Sequence, residues 1–226
     1  MPILPRRVNT NRCSTTLGCV VAFQGSLLDG LDAPGPRELV PGLDRLSLED
    51  GAWVEVRRDW VGGADALFER LIHRVPWRSE RRPMYDRVVD VPRLLAFYGE
   101  GDRLPDPMLV PIRAALLDHY RDEFDGQATA GLCLYRDGDD SVAFHGDTIG
   151  RGARHDTVVA IVSLGCRRRL LLRPRSGGRA LRFELGGGDL LVMGGSCQRT
   201  WEHAVPKTAR PSGPRISVQF RPRGVR

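Results

Sequence analysis

Lysine is almost missing from this chain: Lys207 is the only one among 34 basic residues, and all the others are arginine. Membrane-spanning runs are missing as well. No stretch of about 18 consecutive apolar residues occurs, so no transmembrane helix is expected. The basic N-terminus is followed only by the short apolar run Cys19 to Phe23, too brief for a signal-peptide core. The five cysteines (Cys13, Cys19, Cys133, Cys166 and Cys197) are odd in number and include no C-x-x-C pair. That pattern speaks against a thiolate zinc site, a redox dithiol or a disulfide framework. Together these absences predict an intracellular, cytoplasmic protein with reduced thiols and no membrane contact. Internal repeats and low-complexity tracts are also lacking, and nothing requires more than a monomer.

What the chain does have is positive charge, a formal +6 over 226 residues. Guanidinium forks suit phosphate, and a basic surface favours polyanions such as nucleic acid. A biased composition would give the same count, so charge alone does not assign a partner. The length suits one domain with a core of its own. Residues 1–47 are punctuated by proline and glycine without sustained periodicity, and read as a loosely structured N-terminal arm. The compact domain is expected over residues 48–226, opening near Gly51-Ala-Trp-Val-Glu-Val, which alternates as a strand does.

Helical spacing follows from Ala64 to His73, with Leu67, Phe68, Leu71 and Ile72 on one side, until Pro76 stops it. A second amphipathic stretch runs from Pro107 to Tyr120. Beyond Gly131 the pattern changes to short strands broken by turn residues. These are Leu132–Arg136, Ser141–Asp147, Thr157–Leu164, Arg169–Arg173, Ala180–Leu185, Asp189–Met193, Trp201–Val205 and Arg215–Arg221. Many short strands with no intervening helix predict a two-sheet jelly roll, preceded by helices: an α+β fold that is mainly β.

The chemistry concentrates in three places: His145-Gly-Asp147, His203, and Arg215-Ile-Ser-Val-Gln-Phe-Arg221. Residues two apart on a strand share a face, so His145 and Asp147 both turn into the barrel. Two histidines and a carboxylate hold a redox-active iron on one face and leave the other open. On the last strand Arg215, Ser217, Gln219 and Arg221 form one polar stripe. Two arginines inside a small barrel are costly unless anions meet them, and a dicarboxylate co-substrate and Asp147 are such anions. A lone H-x-D or a lone histidine is common. Their order on separate strands, with an arginine downstream, is far more specific. This pattern predicts a mononuclear Fe(II) oxygenase that uses 2-oxoglutarate and O2.

The chain resembles the AlkB family of Fe(II)/2-oxoglutarate dioxygenases over roughly Gly51 to Arg223. The resemblance is carried by Val75-Pro-Trp-Arg, Val91-Pro-Arg-Leu-Leu-Ala-Phe-Tyr-Gly99, Leu134-Tyr-Arg-Asp-Gly138, His145-Gly-Asp147, Val162-Ser-Leu-Gly165, Gln198-Arg-Thr-Trp-Glu-His-Ala-Val-Pro-Lys207 and the Arg215–Arg221 strand. It implies a double-stranded β-helix core, N-terminal helices packed on one sheet and a nucleotide-recognition lid. It also implies that His145, Asp147 and His203 bind iron, and that Arg215 and Tyr135 hold 2-oxoglutarate. Arg221 would brace Asp147 and the pocket edge, and Trp201 would pack near the metal. The segment from Trp77 to Arg87, with Arg81, Arg82, Met84 and Tyr85, would be the lid or hairpin gripping nucleic acid. Tyr98, Trp77 and Tyr85 would be candidates for stacking on a cationic alkylated base.

The activity implied is DNA repair: oxidative removal of N-alkyl groups from bases such as 1-methyladenine and 3-methylcytosine, in single strands or after base flipping. The products are succinate, CO2, formaldehyde and the repaired base. RNA, a protein or a small molecule are the alternative substrates. A non-catalytic binder on a decayed scaffold is the further alternative, and the intact ligand set argues against it. The chain departs from the family at four places. Cys133 and Ser217 stand where many members have asparagine, and both belong with the co-substrate contacts. Ile149 replaces an acidic residue of some members. Gly99-Glu-Gly-Asp-Arg-Leu-Pro lacks the aromatic that often stacks on the flipped base.

Overall fold

The computed structural model of the protein describes residues 33–84, 87–148, 150–210 and 212–225, with backbone alone at 82–84, 87–90 and 151. Its compact unit begins at Ala33. Two short strands, β1 (Gly35–Pro36) and β4 (Val61–Gly62), pair near its start, and β2 (Leu43–Ser47) pairs with β3 (Ala52–Arg57). Residues 33–47, expected to belong to the arm, are therefore part of the compact unit. The reason is physical: β2 is an edge strand with four of its five residues exposed, so backbone pairing recruits it without any apolar alternation to mark it. Residues 1–32 lie outside the described residues.

Helix α1 (Ala64–Arg74) starts after Gly63, whose φ of 68° is left-handed, and buries Ala64, Leu67 and Leu71. Then come β5 (Arg78–Met84) and β6 (Arg87–Tyr98), an antiparallel pair. Their register slips between Ser79 and Arg81, and Pro92 sits opposite that slip, where its missing N–H interrupts no ladder. Helix α2 (Leu109–His119) buries Leu109, Ile112 and Leu116, and the single turn α3 (Arg121–Phe124) buries Phe124.

The jelly-roll strands follow in the expected order: β7 (Ala128–Tyr135), β8 (Val142–His145), β9 (Val159–Gly165), β10 (Arg168–Pro174), β11 (Leu181–Leu185), β12 (Asp189–Gly195), β13 (Trp201–Val205) and β14 (Arg215–Pro222), with the short helix α4 (Cys197–Thr200) before β13. Two sheets result, one ordered β2-β3-β12-β9-β14-β7-β6-β5 and the other β11-β10-β13-β8, all antiparallel.

The period of two sorts side chains between the two faces of the large sheet. Ile216, Val218 and Phe220 of β14, with Leu132 and Leu134 of β7, join Leu67, Leu71, Ile112 and Leu116 in one core on the helix side. Ile161, Leu191 and Met193 turn the other way and pack with Leu170, Leu172 and Trp201 of the small sheet. Strand β9 is buried on both faces and is apolar except at Ser163. That inward-facing exception leads to the site.

Candidate active site

Strands β8 and β13 pair His145 directly with His203. Their rings lie 4.3 Å apart, centroid to centroid, at 47°. Asp147 follows two residues past His145, and one ligand atom from each of the three side chains lies within 4.8 Å of the others. His145 Nδ1 is 2.9 Å from the carbonyl of Ala143. A carbonyl only accepts, so Nδ1 carries the proton and Nε2 keeps a free lone pair. His203 and Asp147 are buried, and His145 is half-buried. Gln198 Oε1 accepts the backbone N–H of Asp147 at 2.9 Å, fixing the turn that carries the carboxylate.

The ionisation states match a divalent metal, which needs neutral imidazole and carboxylate. Burial pushes the His203 imidazole down to about 3, with His145 adding to the effect. Burial alone would raise Asp147; the guanidinium of Arg221 and the two imidazoles overcome it and hold the carboxyl at about 2. Arg221 donates Nε–H to Asp147 Oδ2 at 2.8 Å and also donates to Gln219 Oε1. Between the first two ligands, Gly146 is dictated by space. A Cβ there would stand 2.4 Å from the Gln198 carbonyl oxygen and 2.6 Å from Arg175 Nη2.

A second group of side chains lies on the same inward stripe. Arg215 is 1% exposed and donates Nε–H to Ser163 Oγ at 3.0 Å, with Nη2 donating to the same oxygen. Among the described residues its Nη1 is buried without any hydrogen-bond partner. Its guanidinium carbon lies 5.3 Å from the Tyr135 ring centre, and that of Arg168 lies 5.7 Å from the same ring. Arg168 spends its donors on the carbonyls of Asp137, Asp140 and Pro206. Burial, and then Cys133, push the Tyr135 phenol up to about 12 against the neighbouring guanidiniums, so it remains a donor. A buried guanidinium with an unused N–H calls for an anion, and a carboxylate is the anion it fits. Cys133 and Ser217 pair across β7 and β14 on this wall, both buried.

The structure thus brings together His145, Asp147, His203 and Arg221, and beside them Arg215, Tyr135, Cys133 and Ser217. Trp201 is buried between the sheets with Met193 and Cys197; its carbonyl oxygen lies 3.3 Å from where a Gly146 Cβ would be. The aromatic residues Trp77 and Tyr98 do not reach the metal side. Trp77 donates Nε1–H to the Ile72 carbonyl at 3.2 Å, and both rings pack on the helix-side core. Arg81 is exposed on β5, paired in register with Asp90 of β6. Tyr85, Ile149 and the side chains of Arg82 and Met84 lie outside the described residues. Three residues without an assigned role in the sequence prove central: Ser163, Gln198 and Gln219. Ser163 was detectable as a lone hydroxyl in an apolar strand, and Gln219 as a member of the polar stripe of the last strand; Gln198 carried no such signal.

Residues 63–221 match the family model described as the 2OG-Fe(II) oxygenase superfamily. Human alpha-ketoglutarate-dependent dioxygenase alkB homolog 3 is 31% identical over 81% of this chain and 70% of its own length. The Bos taurus homolog 3 is 32% identical over 72% of this chain, which spans only 64% of that relative's length. Mouse DNA oxidative demethylase ALKBH2 is 28% identical over 70% of the chain and 74% of its own length. Among solved structures, OsALKBH1 superposes with a TM-score of 0.54 at 14% identity, over 79% of this chain and all of that one. A prolyl hydroxylase complex from Trichoplax adhaerens superposes with a TM-score of 0.55 at 11% identity, over 74% and 82%. Those two confirm the jelly-roll fold. The family requires Fe(II) as cofactor with 2-oxoglutarate and O2 as co-substrates, and the clustered His145, Asp147 and His203 with the unpartnered Arg215 N–H suit the metal and the keto acid. With that fit and the similarity running through most of its length, the chain belongs to the AlkB family of 2OG-Fe(II) dioxygenases.

Proposed function

We propose that this protein is a nucleic-acid repair dioxygenase that removes N-alkyl groups from bases such as 1-methyladenine and 3-methylcytosine in DNA. The observation that carries the reading is the buried Arg215 guanidinium. It keeps one N–H unused on the same inward stripe from which Arg221 holds Asp147. The relatives named for oxidative demethylation of DNA and as alkB homologs support the choice of nucleic acid. The two histidines and Asp147 would hold Fe(II), which when bound would supply O2 activation coupled to decarboxylation of the keto acid.

The chain's own residues do the rest. Arg215 and the protonated Tyr135 hold the distal carboxylate of 2-oxoglutarate, with Ser163 keeping the guanidinium in plane. Arg221 keeps Asp147 ionised and aimed. The inter-sheet core around Trp201 keeps water from the far side of the ligands. A methyl carbon hydroxylated at this site leaves as formaldehyde, and the base nitrogen keeps the bonding electron pair and, where its valence requires it, takes up the hydroxyl proton. A base stacked in a duplex is out of reach, so single strands or extruded bases are the substrates. The net charge of +6 favours a polyanion.

The test is to incubate the protein with Fe(II), ascorbate, 2-oxoglutarate and a single-stranded DNA oligomer bearing one 1-methyladenine, with His203→Ala as control, and to weigh the oligomer. Loss of one methyl group with the wild type only is expected. An unchanged oligomer, with methylated RNA converted instead, would move the activity to RNA. If neither is converted while 2-oxoglutarate is consumed, the nucleic-acid reading is wrong.

A further inference from the structure

Arg93 carries a second guanidinium with a donor to spare. It is half-buried on β6, yet its Nε is cut off from solvent and, among the described residues, has no hydrogen-bond partner. Leu95, two residues on, packs with Cys133 and Tyr135 on the inward face, so Arg93 turns to that face as well.

Its position relative to Tyr135 follows from the register. In the large sheet β7 lies between β14 and β6. Tyr135 of β7 pairs with Arg215 of β14, and Leu134 pairs with Leu94 of β6. One step past that last pair, Arg93 falls opposite Tyr135 from the other side. Two arginines thus stand astride one phenol, each about one strand spacing, ~4.8 Å, away along the sheet. The tip of Arg93 is anchored: Nη1 donates to the Ser141 carbonyl at 3.3 Å, and the Ser141 N–H donates to the Pro92 carbonyl at 2.8 Å. The charges agree with this placement. Burial, and then Cys133, raise the Tyr135 phenol, and the guanidiniums that oppose them are those of Arg215, Arg93 and Arg168. Burial lowers the His203 imidazole, and Arg93 is among the charges that add to it. Of the three guanidiniums around the phenol, Arg168 is engaged by the carbonyls of Asp137, Asp140 and Pro206, whereas Arg215 Nη1 and Arg93 Nε remain unused.

We propose that Arg93 is a second co-substrate-binding arginine, whose Nε–H and the free N–H of Arg215 meet the distal carboxylate of 2-oxoglutarate from either side of Tyr135. This inference rests on the reading of Arg215 and Tyr135 as the wall that receives that carboxylate. A carboxylate accepts at about four lone-pair sites, enough for two guanidiniums and a phenol. An unused guanidinium N–H in the interior is costly until an anion meets it. A nucleic-acid phosphate fits less well, because Nε is closed to solvent and a phosphate stays outside with its strand.

The test is calorimetric titration of 2-oxoglutarate and of 2-oxobutyrate, which lacks the distal carboxylate, into Mn(II)-loaded wild type, Arg93→Met and Arg93→Lys. Mn(II) affinity and melting temperature report an intact interior, and a methylated oligomer is titrated in parallel. In Arg93→Met the Kd for 2-oxoglutarate should rise at least about tenfold, the low end of what a hydrogen bond to a charged group contributes. Its Kd for 2-oxobutyrate should stay within about twofold of the wild type, a change too small to count as one such bond. Lysine keeps the charge without the fork, so Arg93→Lys should lose less than Arg93→Met. A wild-type 2-oxoglutarate affinity in Arg93→Met overturns the proposal, and weaker oligomer binding beside it would assign Arg93 to the nucleic acid. Equal weakening of both keto acids, or a loss that follows Mn(II) affinity and melting temperature, also overturns it and marks a packing role. A loss in Arg93→Lys as large as in Arg93→Met overturns the charge pairing. A wild type that binds 2-oxoglutarate no better than 2-oxobutyrate is a different failure: it overturns the reading of Arg215 and Tyr135, and this inference with it.

Discussion

Arg221 on the last strand donates Nε–H to Oδ2 of Asp147 over 2.8 Å, and so holds a carboxylate of the candidate metal site that lies 74 residues earlier in the chain. The same strand carries Arg215 six residues before it. In the proposed reading, one extended segment would serve the metal through one guanidinium and the co-substrate through another, with the spacing set by the two-residue period.

Arg221→Met should weaken metal binding. Methionine keeps the apolar stem and removes the cation that orients Asp147, and loss of such an outer partner typically costs about 10- to 100-fold in metal affinity. Mn(II) titration followed calorimetrically would read it. Affinity equal to wild type would mean that Gln198 and the turn alone fix the carboxylate.

Arg215→Ala should act on the co-substrate and leave the metal in place. A charge-assisted pair contributes roughly 1.5–3 kcal/mol, a loss of about 10- to 150-fold in 2-oxoglutarate affinity. A monocarboxylate keto acid such as 2-oxobutyrate lacks the distal group, so its binding should hardly change. If both keto acids weaken alike, Arg215 supports the pocket wall and does not pair with the distal carboxylate.

The jelly-roll half was legible because its strands are short, bounded by turn residues and alternating. Each expected strand after Gly131 appears within a few residues of its predicted bounds. Helices α1 and α2 were legible from the spacing of buried leucines and isoleucines. The β5–β6 pair was foreshadowed only as a lid or hairpin over 77–87. Arginine density and Pro92 mask the alternation of β6, which runs on to Tyr98. Strand β2 was invisible because an exposed edge needs only backbone partners. At the site, residues with a chemical signature (His145, Asp147, His203, Arg215 and Arg221) could be named beforehand. Supporting residues such as Gln198 could not, since an amide acquires its role only when the fold brings it to Asp147 from 51 residues away. The aromatic residues are the opposite case: Trp77 and Tyr98 fit a substrate role by type, and the structure packs both on the helix-side core.

Gly146→Ala should impair the centre although alanine changes no charge. The added Cβ meets a backbone oxygen, that of Gln198, at 2.4 Å, and a carbonyl fixed by α4 cannot swing away as a side-chain tip does. Overpacking of this kind costs about 1–3 kcal/mol. The relief available is a shift of His145 or Asp147. A lowered melting temperature together with weaker Mn(II) binding is expected; unchanged values for both would show that the β8 turn has room the structure does not reveal.

Away from the site, Asp106 ties the segment before α2 to α1. Its buried carboxylate accepts from Arg70 at 2.7 and 3.1 Å, from Arg74 at 2.9 Å and from the Met108 N–H at 3.0 Å. Burial by itself would raise its carboxyl, but the Arg70 guanidinium, the Met108 amide and Arg74 outweigh that and hold it below 3.8. A carboxyl depressed by folding contributes stability in full above its unfolded pKa of about 4, and loses it as pH falls through the lower folded value. Asp106→Asn should therefore cost roughly 1–3 kcal/mol at neutral pH, the range reduced because both guanidiniums are partly exposed and screened. The difference between the two proteins should shrink steadily below about pH 4, as protonation of Asp106 makes the wild type resemble the variant. Urea unfolding at pH 7, 5 and 3 would measure it. A gap that stays constant down to pH 3 would assign the loss to altered packing and not to the carboxylate's charge.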